Sequence, residues 1–213
     1  MDKNFLNYQF AKHPSPIITN NELAFILDGT ADSRYSKIKR LIAKNKLLHI
    51  RRGLYCLTAA MGYLEKPHPF SLAQFIYAPS YISLESALSY YELIPEAVYA
   101  ITSVTAKRSN TFNTPFGEFT YHHLPEANFY TEVQIIKDDN YLFFVAKPWK
   151  AICDYIFCYK KNWHSLEPLE NSLRINIEDL PSISIEEFEL LGEYYHNSSV
   201  NRFLKAIKNE CVK

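Results

Sequence analysis

Glycine is scarce in this chain. Five glycines in 213 residues are too few for the Gly-rich linkers that let domains swing freely. Cysteine offers little more. Cys56, Cys153, Cys158 and Cys211 show no disulfide-framework spacing. Cys153 and Cys158 lie in an apolar helical pattern, with no further Cys or His close by to complete a metal site. Buried thiols in a reducing compartment are the expectation. Long apolar runs are missing too. The longest, Tyr141 to Ala146, is far too short to span a bilayer. The opening MDKNFLNYQF lacks the apolar stretch of a secretion signal. A soluble, cytoplasmic protein with no membrane partner is expected. Several enzyme signatures are absent: GxSxG, a Walker-type phosphate loop, GxGxxG and HExxH do not occur. No cofactor is expected. There is no internal repeat, no low-complexity tract, and no net charge, with 23 basic against 23 acidic residues.

What is present is ordinary in bulk and uneven in detail. Hydrophobic residues make up 47% and charged residues 22%, as in most globular proteins. The length suits one large domain or two small ones. The unevenness is electrostatic. Eight basic residues fall between Arg34 and Arg52: Arg34, Lys37, Lys39, Arg40, Lys44, Lys46, Arg51 and Arg52. Asp32 is the only acid in 31–52, so this segment carries +7 and the remainder −7. A charge run usually marks a solvated helix face. A concentration of this size in a neutral protein is also the footprint of a nucleic-acid-binding element.

Local patterns favour the second reading. Residues 1–58 read as three helices and a hairpin. The first helix spans about Lys3 to Ala11 and ends at His13-Pro14-Ser15-Pro16. The second starts after Thr19 or Asn20, either of which can cap it. It places Leu23, Ile26 and Leu27 on one face and stops at Asp28-Gly29. The third covers about Asp32 to Asn45. At roughly 100° per residue, Ala31, Tyr35, Ile38, Leu41 and Ile42 gather on its packing side. Ser33, Ser36, Lys37, Arg40 and Lys44 fall opposite, with Arg34 and Lys39 at the edges. Two helices joined by a short Gly-containing turn form a helix-turn-helix, whose second helix meets base edges in the major groove with its N-terminal residues. Leu47 to Ile50 and Leu54 to Leu57 read as strands around the turn Arg51-Arg52-Gly53, where Gly53 can take the positive φ of a tight hairpin. A hairpin tipped with arginines can reach phosphates or a minor groove. The expected DNA contacts are Ser33, Arg34, Ser36, Lys37 and Arg40 in the groove, and Lys44, Arg51 and Arg52 on phosphate or in the minor groove.

Composition changes after residue 58, with Met61 to Phe70 as the junction. The expected fold is α+β: residues 1–60 as an N-terminal winged helix-turn-helix DNA-binding domain, then 61–213 as a mixed α/β domain. Helical patterns cover Phe70–Tyr77 and Ser83–Leu93, with Ser83 as cap. Strand-like runs follow at Val98–Ala106, Glu118–Leu124, Thr131–Lys137 and Tyr141–Ala146, with a tight turn at Asp138-Asp139-Asn140. The apolar run YLFFVA reads as a buried central strand. Pro148 suits the first position of a helix running to about Lys160. Further helices are expected at Leu166–Leu173, Ser184–Tyr195 and Ser198–Glu210. Leu166 to Glu193 holds eight acids and Arg174 as its only base.

Catalytic constellations are weak. Neighbouring His122 and His123 on a strand point to opposite faces, which argues against a shared metal. Glu118, Lys150 and Asp154 are the residues a DNA-targeted nuclease would use, at a spacing that is not diagnostic. No catalytic or metal-binding residue is assigned, and a non-enzymatic DNA binder ranks first.

Three segments carry a family resemblance: the hairpin LLHIRRGLYCL, PSYISLESALSYYELIPE at 79–96, and FFVAKPWKAICDYIF at 143–157. With them the chain resembles, over nearly its whole length, AbiEi-type antitoxins of type IV toxin–antitoxin systems. Glu92 stands where that pattern carries glycine, and Trp149 where it carries glutamate. The resemblance implies a transcriptional repressor that binds inverted repeats in its own promoter as double-stranded DNA. It also implies an antitoxin that counters a cognate nucleotidyltransferase toxin without a stable complex. The alternatives are the nuclease and a second domain that binds the toxin directly as an interaction module.

Overall fold

The computed structural model describes residues 8–63, 66–96, 98–125, 128–137 and 141–211. Residues 8–11 are helical, and the earlier part of the expected Lys3–Ala11 helix lies outside the described residues. Then follow β1 (Ile17–Thr19), α1 (Asn20–Ile26), α2 (Ala31–Ala43), β2 (Leu47–Arg51) and β3 (Leu54–Leu57). β1 is an addition to the sequence reading. It pairs antiparallel with β3, Ile17 opposite Cys56 and Thr19 opposite Leu54. β3 also pairs with β2, giving a three-stranded sheet in the order β1-β3-β2.

Local chemistry sets the helix ends. Thr19 and Glu22 form a capping box on α1: the Glu22 amide donates to Thr19 Oγ1 at 3.3 Å, and the Thr19 amide donates to Glu22 Oε2 at 2.7 Å. α1 ends at Ile26, before the expected Asp28-Gly29 stop, because Leu27 is already extended. Gly29, at φ +107°, then turns the chain towards Thr30, whose hydroxyl caps α2 by accepting from the Ser33 amide at 3.3 Å. At the far end Asn45 adopts φ +53°. There Lys46 N–H reaches Leu41 O and Asn45 N–H reaches Ile42 O, both at 2.9 Å, closing α2 with a Schellman motif.

The small sheet has a different neighbour on each face. Ile18, Leu47, Tyr55 and Leu57 join Leu23, Leu27 and Ile38 in a core beneath the helices. Ile17, Ile50, Leu54 and Cys56 turn the other way and join the core of the second part. Strand periodicity makes this division, and it leaves every residue of β3 buried.

The second part is built on a six-stranded sheet in the order β6-β7-β5-β4-β9-β8. Its strands are β4 (Ser80–Ile82), β5 (Ala100–Thr105), β6 (Asn110–Thr114), β7 (Gly117–His123), β8 (Val133–Lys137) and β9 (Leu142–Ala146). β4 runs parallel to β9 and β5 parallel to β7, while the remaining neighbours are antiparallel. The expected turn at 138–140 lies outside the described residues. The strands either side pair with Lys137 opposite Leu142. β9 lies between two strands, and Phe143, Val145 and Ala146 are buried. Around this sheet lie α3 (Pro69–Ile76), α4 (Leu84–Tyr90), α5 (Pro148–Cys158), α6 (Glu167–Leu173), α7 (Ile185–Tyr194) and α8 (Ser198–Cys211). Pro148 occupies the first turn of α5, where its missing N–H costs nothing. The protein is a mixed α+β fold, and no helix among the described residues is long and apolar enough to cross a membrane.

Candidate nucleic-acid interface

α2 sits at a different rotation from the one its apolar spacing suggests. Ile38 is buried, and Leu41 and Ile42 are half-buried, as expected. Tyr35 and Ala31, expected on the packing side, are exposed, Tyr35 by 58%. The cause lies in the turn after α1. Arg34 donates through Nη1 to the Gly29 carbonyl, and Lys37 donates through Nζ to the Asp28 carbonyl at 2.6 Å. Two cations thus cross-link the turn to α2 and draw that edge inward. Ser33 belongs to the same contact, since a Cβ on Gly29 would come within 3.0 Å of Ser33 Oγ.

The outer face of α2 is therefore Tyr35, Ser36, Lys39, Arg40 and Lys44, all exposed. Lys39, expected at an edge, lies on it with its ammonium 4.6 Å from the Tyr35 ring centroid, a cation–π pair. Arg40 and Lys44 form no ion pair among the described residues. Lys39 and Tyr35 are the residues of this outer face that sequence reasoning did not place there. Their i, i+4 spacing on a helix was the available signal.

At the hairpin, Gly53 takes φ +78°, and its carbonyl accepts from the Asn20 amide at 2.8 Å. The tip is thereby held to the start of α1. Arg52 is exposed beside it. Arg51, expected in the turn, is instead the last residue of β2 and half-buried. Its Nη1 donates to the Arg52 carbonyl at 3.3 Å, and its Nε is buried without a hydrogen-bond partner among the described residues. It faces the second part: burial pushes the Tyr121 phenol on β7 far up, and the nearby Arg51 charge opposes that rise. Of the expected contacts, the structure leaves Ser36, Arg40, Lys44 and Arg52 outward. It places Ser33, Arg34 and Lys37 against the turn and Arg51 against the second part.

Of the three residues considered for a nuclease, two come together in the core and the third stands apart. Lys150 and Asp154 meet on α5, with Nζ 2.8 Å from Oδ1 and both side chains wholly buried. Asp154 Oδ1 also accepts from the Tyr195 hydroxyl at 2.5 Å, and Oδ2 accepts from Tyr81 at 3.1 Å and Ser83 at 2.7 Å. Lys150 donates to Tyr195 Oη at 2.8 Å and lies 4.0 Å from the Tyr194 ring centroid. Burial pulls the Lys150 ammonium below its usual pKa against the attraction of Asp154, and pushes the Tyr81 and Tyr195 phenols well up. Ser83, expected as the cap of α4, spends its hydroxyl on this network instead. Glu118 is exposed on β7 and takes no part in it.

His122 is half-buried and its pKa is lowered by burial, while His123 is exposed. Among the described residues no group of three or more His, Cys, Asp or Glu side chains could hold a metal ion. No protein-family model matches the chain, and no curated protein matches it.

Proposed function

We propose that residues 1–60 form a winged helix-turn-helix unit that binds duplex DNA through the outer face of α2 and the hairpin tip. The observation that carries this reading is the set of exposed cations Lys39, Arg40 and Lys44 on one helix face, close in sequence to the exposed Arg52. The order helix, strand, helix, helix, hairpin supports it, as does the pairing of the first strand with the returning strand of the hairpin. The cross-links from Arg34 and Lys37 support it differently. They brace α2 against the preceding turn, so the outward cations are held on a rigid element, as phosphate positioning requires.

The protein is then a transcriptional repressor of its own operon and an antitoxin of the AbiEi type, acting against a nucleotidyltransferase toxin. Residues 61–213 supply the antitoxin part. Glu92 supports the family reading: it holds φ +59°, a left-handed position suited to the glycine of the family pattern. A nuclease reading has less behind it, because Lys150 and Asp154 are sealed from solvent.

Binding to a labelled fragment of the chain's own upstream DNA, against a scrambled fragment, tests the repressor half. Selective, salt-sensitive binding is expected, and equal weak binding to both fragments would contradict it. Co-expression with a nucleotidyltransferase toxin of such a system tests the antitoxin half. Restored growth is expected, and unrelieved toxicity would contradict it.

A further inference from the structure

Among the described residues the two sheets end in β1 and β2 on one and in β6 and β8 on the other. A sheet edge carries unpaired backbone groups, and folded proteins usually blunt it. Three of these edges are blunted. β1 is only three residues long, β2 slips register between His49 and Arg51, and β6 lies against β2. β8 is different. It runs for five residues without proline, its register against β9 is regular, and Ile135 at its centre is 60% exposed.

The hydrogen bonds at the start of β8 show which of its backbone groups face outward. The Lys147 amide donates to the Glu132 carbonyl at 3.0 Å, which makes Glu132 and Lys147 a hydrogen-bonded pair. Such pairs alternate along an antiparallel ladder. Gln134 and Ile136 therefore turn their amides and carbonyls towards β9, while Val133, Ile135 and Lys137 turn theirs away from it. The Val133 amide agrees, since it donates to the Tyr130 carbonyl at 3.2 Å and not to β9. The Val133 carbonyl and both backbone groups of Ile135 and Lys137 thus form an outward row. The sheet face beside this row is apolar. Phe144 lies opposite Ile135 and the exposed Leu142 lies opposite Lys137, and the exposed Tyr130 packs its ring on Phe144.

We propose that β8 pairs antiparallel with β8 of a second copy of this chain, about a two-fold axis at Ile135, so that the two large sheets become one. The outward row is complementary to itself. Ile135 exchanges both of its bonds with its counterpart, and the Lys137 amide of each copy donates to the Val133 carbonyl of the other. The exposed Ile135 side chains meet as a cross-strand pair, and the apolar patches beside them join across the axis. Charge does not oppose this register. Lys137 is the one charged residue of β8, and it stands opposite Val133. Its counterpart is about 14 Å away along the strands, beyond the screening length of about 8 Å. One strand from each copy makes a small interface of the weakly associating class, with an expected Kd of about 10–100 µM.

Sedimentation equilibrium of the full chain from about 5 µM to about 500 µM tests the pairing. A monomer–dimer equilibrium is expected. Ile135→Pro removes an amide that points away from β9, a position where an edge strand tolerates proline, and should weaken association about tenfold or more. Ile135→Lys and Ile135→Glu each set like charges opposite one another and should be monomeric when alone. Mixed in equal parts, the two should associate again. Circular dichroism checks folding, and Ile135→Lys, at an exposed position, carries the test should the proline variant not fold. A wild type that stays monomeric throughout overturns the proposal. So does a dimer that survives in the folded Ile135 variants, or an equal mixture of the two charged variants that stays monomeric.

Discussion

Lys150 and Asp154 sit one helical turn apart on α5, 2.8 Å between charges, with neither side chain exposed to solvent. Each is the other's counter-charge, and Tyr195, Tyr81 and Ser83 occupy the remaining carboxylate lone pairs. Removing one partner strands the other as a bare ion in the core. Asp154→Ala should therefore cost about 3–5 kcal/mol. The double change Lys150→Met with Asp154→Leu should cost far less than the sum of the single changes, because no charge is left behind. Urea denaturation of the two single variants and the double variant checks this. Simple additivity would mean that the pair is not coupled.

Glu92 closes α4 in a Schellman motif. Leu93 N–H reaches Leu88 O at 2.9 Å and Glu92 N–H reaches Ser89 O at 3.0 Å, with Glu92 at φ +59°. A residue with a Cβ pays for that conformation, and glycine does not. Glu92→Gly should raise stability by about 1 kcal/mol, read as a higher urea midpoint at unchanged slope. A lowered midpoint would show that the Glu92 side chain makes a compensating contact.

Much of this fold was legible along the chain, and the failures share a cause. A cap on α1 at Thr19, one of the two candidates, the Gly53 hairpin, Pro148 at the start of α5 and Ser184 at the start of α7 are local signals. Each sits where it was read. β1 and β4 were invisible because three residues show no periodicity, and both exist through pairing with strands far along the chain. β6, Asn-Thr-Phe-Asn-Thr, is too polar to read as a strand, and β7 holds it in place. On α2, helical spacing treats each residue alone. It cannot show that Arg34 and Lys37 are claimed by carbonyls of the neighbouring turn, or that Tyr35 consequently turns outward. The i, i+4 spacing of Lys150 and Asp154 was visible, but not the burial that makes them structural.

Glu187 links two elements. It completes the capping box of α7 with Ser184 and pairs with Lys147 at 2.6 Å. The Lys147 hydrogen bond holds its carboxyl below the usual 4.5. A carboxylate depressed in the folded state contributes stability that is complete above its unfolded pKa and is lost as pH falls through the lower folded value. The urea midpoint should therefore drop on acidification below about pH 4.5. Glu187→Gln should start lower at pH 7 and lose less across that window. An identical acid limb in both proteins would remove Glu187 as a source of the effect.

Arg34 and Lys37 separate bracing from binding. Arg34→Ala and Lys37→Ala remove hydrogen bonds to the Gly29 and Asp28 carbonyls, each worth about 1 kcal/mol. They should lower thermal stability while leaving the salt dependence of DNA binding close to wild type. A flattened salt slope with unchanged stability would mean that these cations leave the turn for phosphate when DNA binds.

The central claim is that the outer face of α2 holds DNA by its phosphates, and one measurement tests it most directly. The affinity for a duplex of the upstream DNA, taken across a salt series, compares wild type with Lys39→Ala/Arg40→Ala/Lys44→Ala, folding being checked by circular dichroism. Each lost phosphate contact should reduce the log–log slope by about 0.9. A folded triple variant with a slope flatter by about 2–3 is the predicted result. A folded triple variant with unchanged slope and affinity would contradict the account.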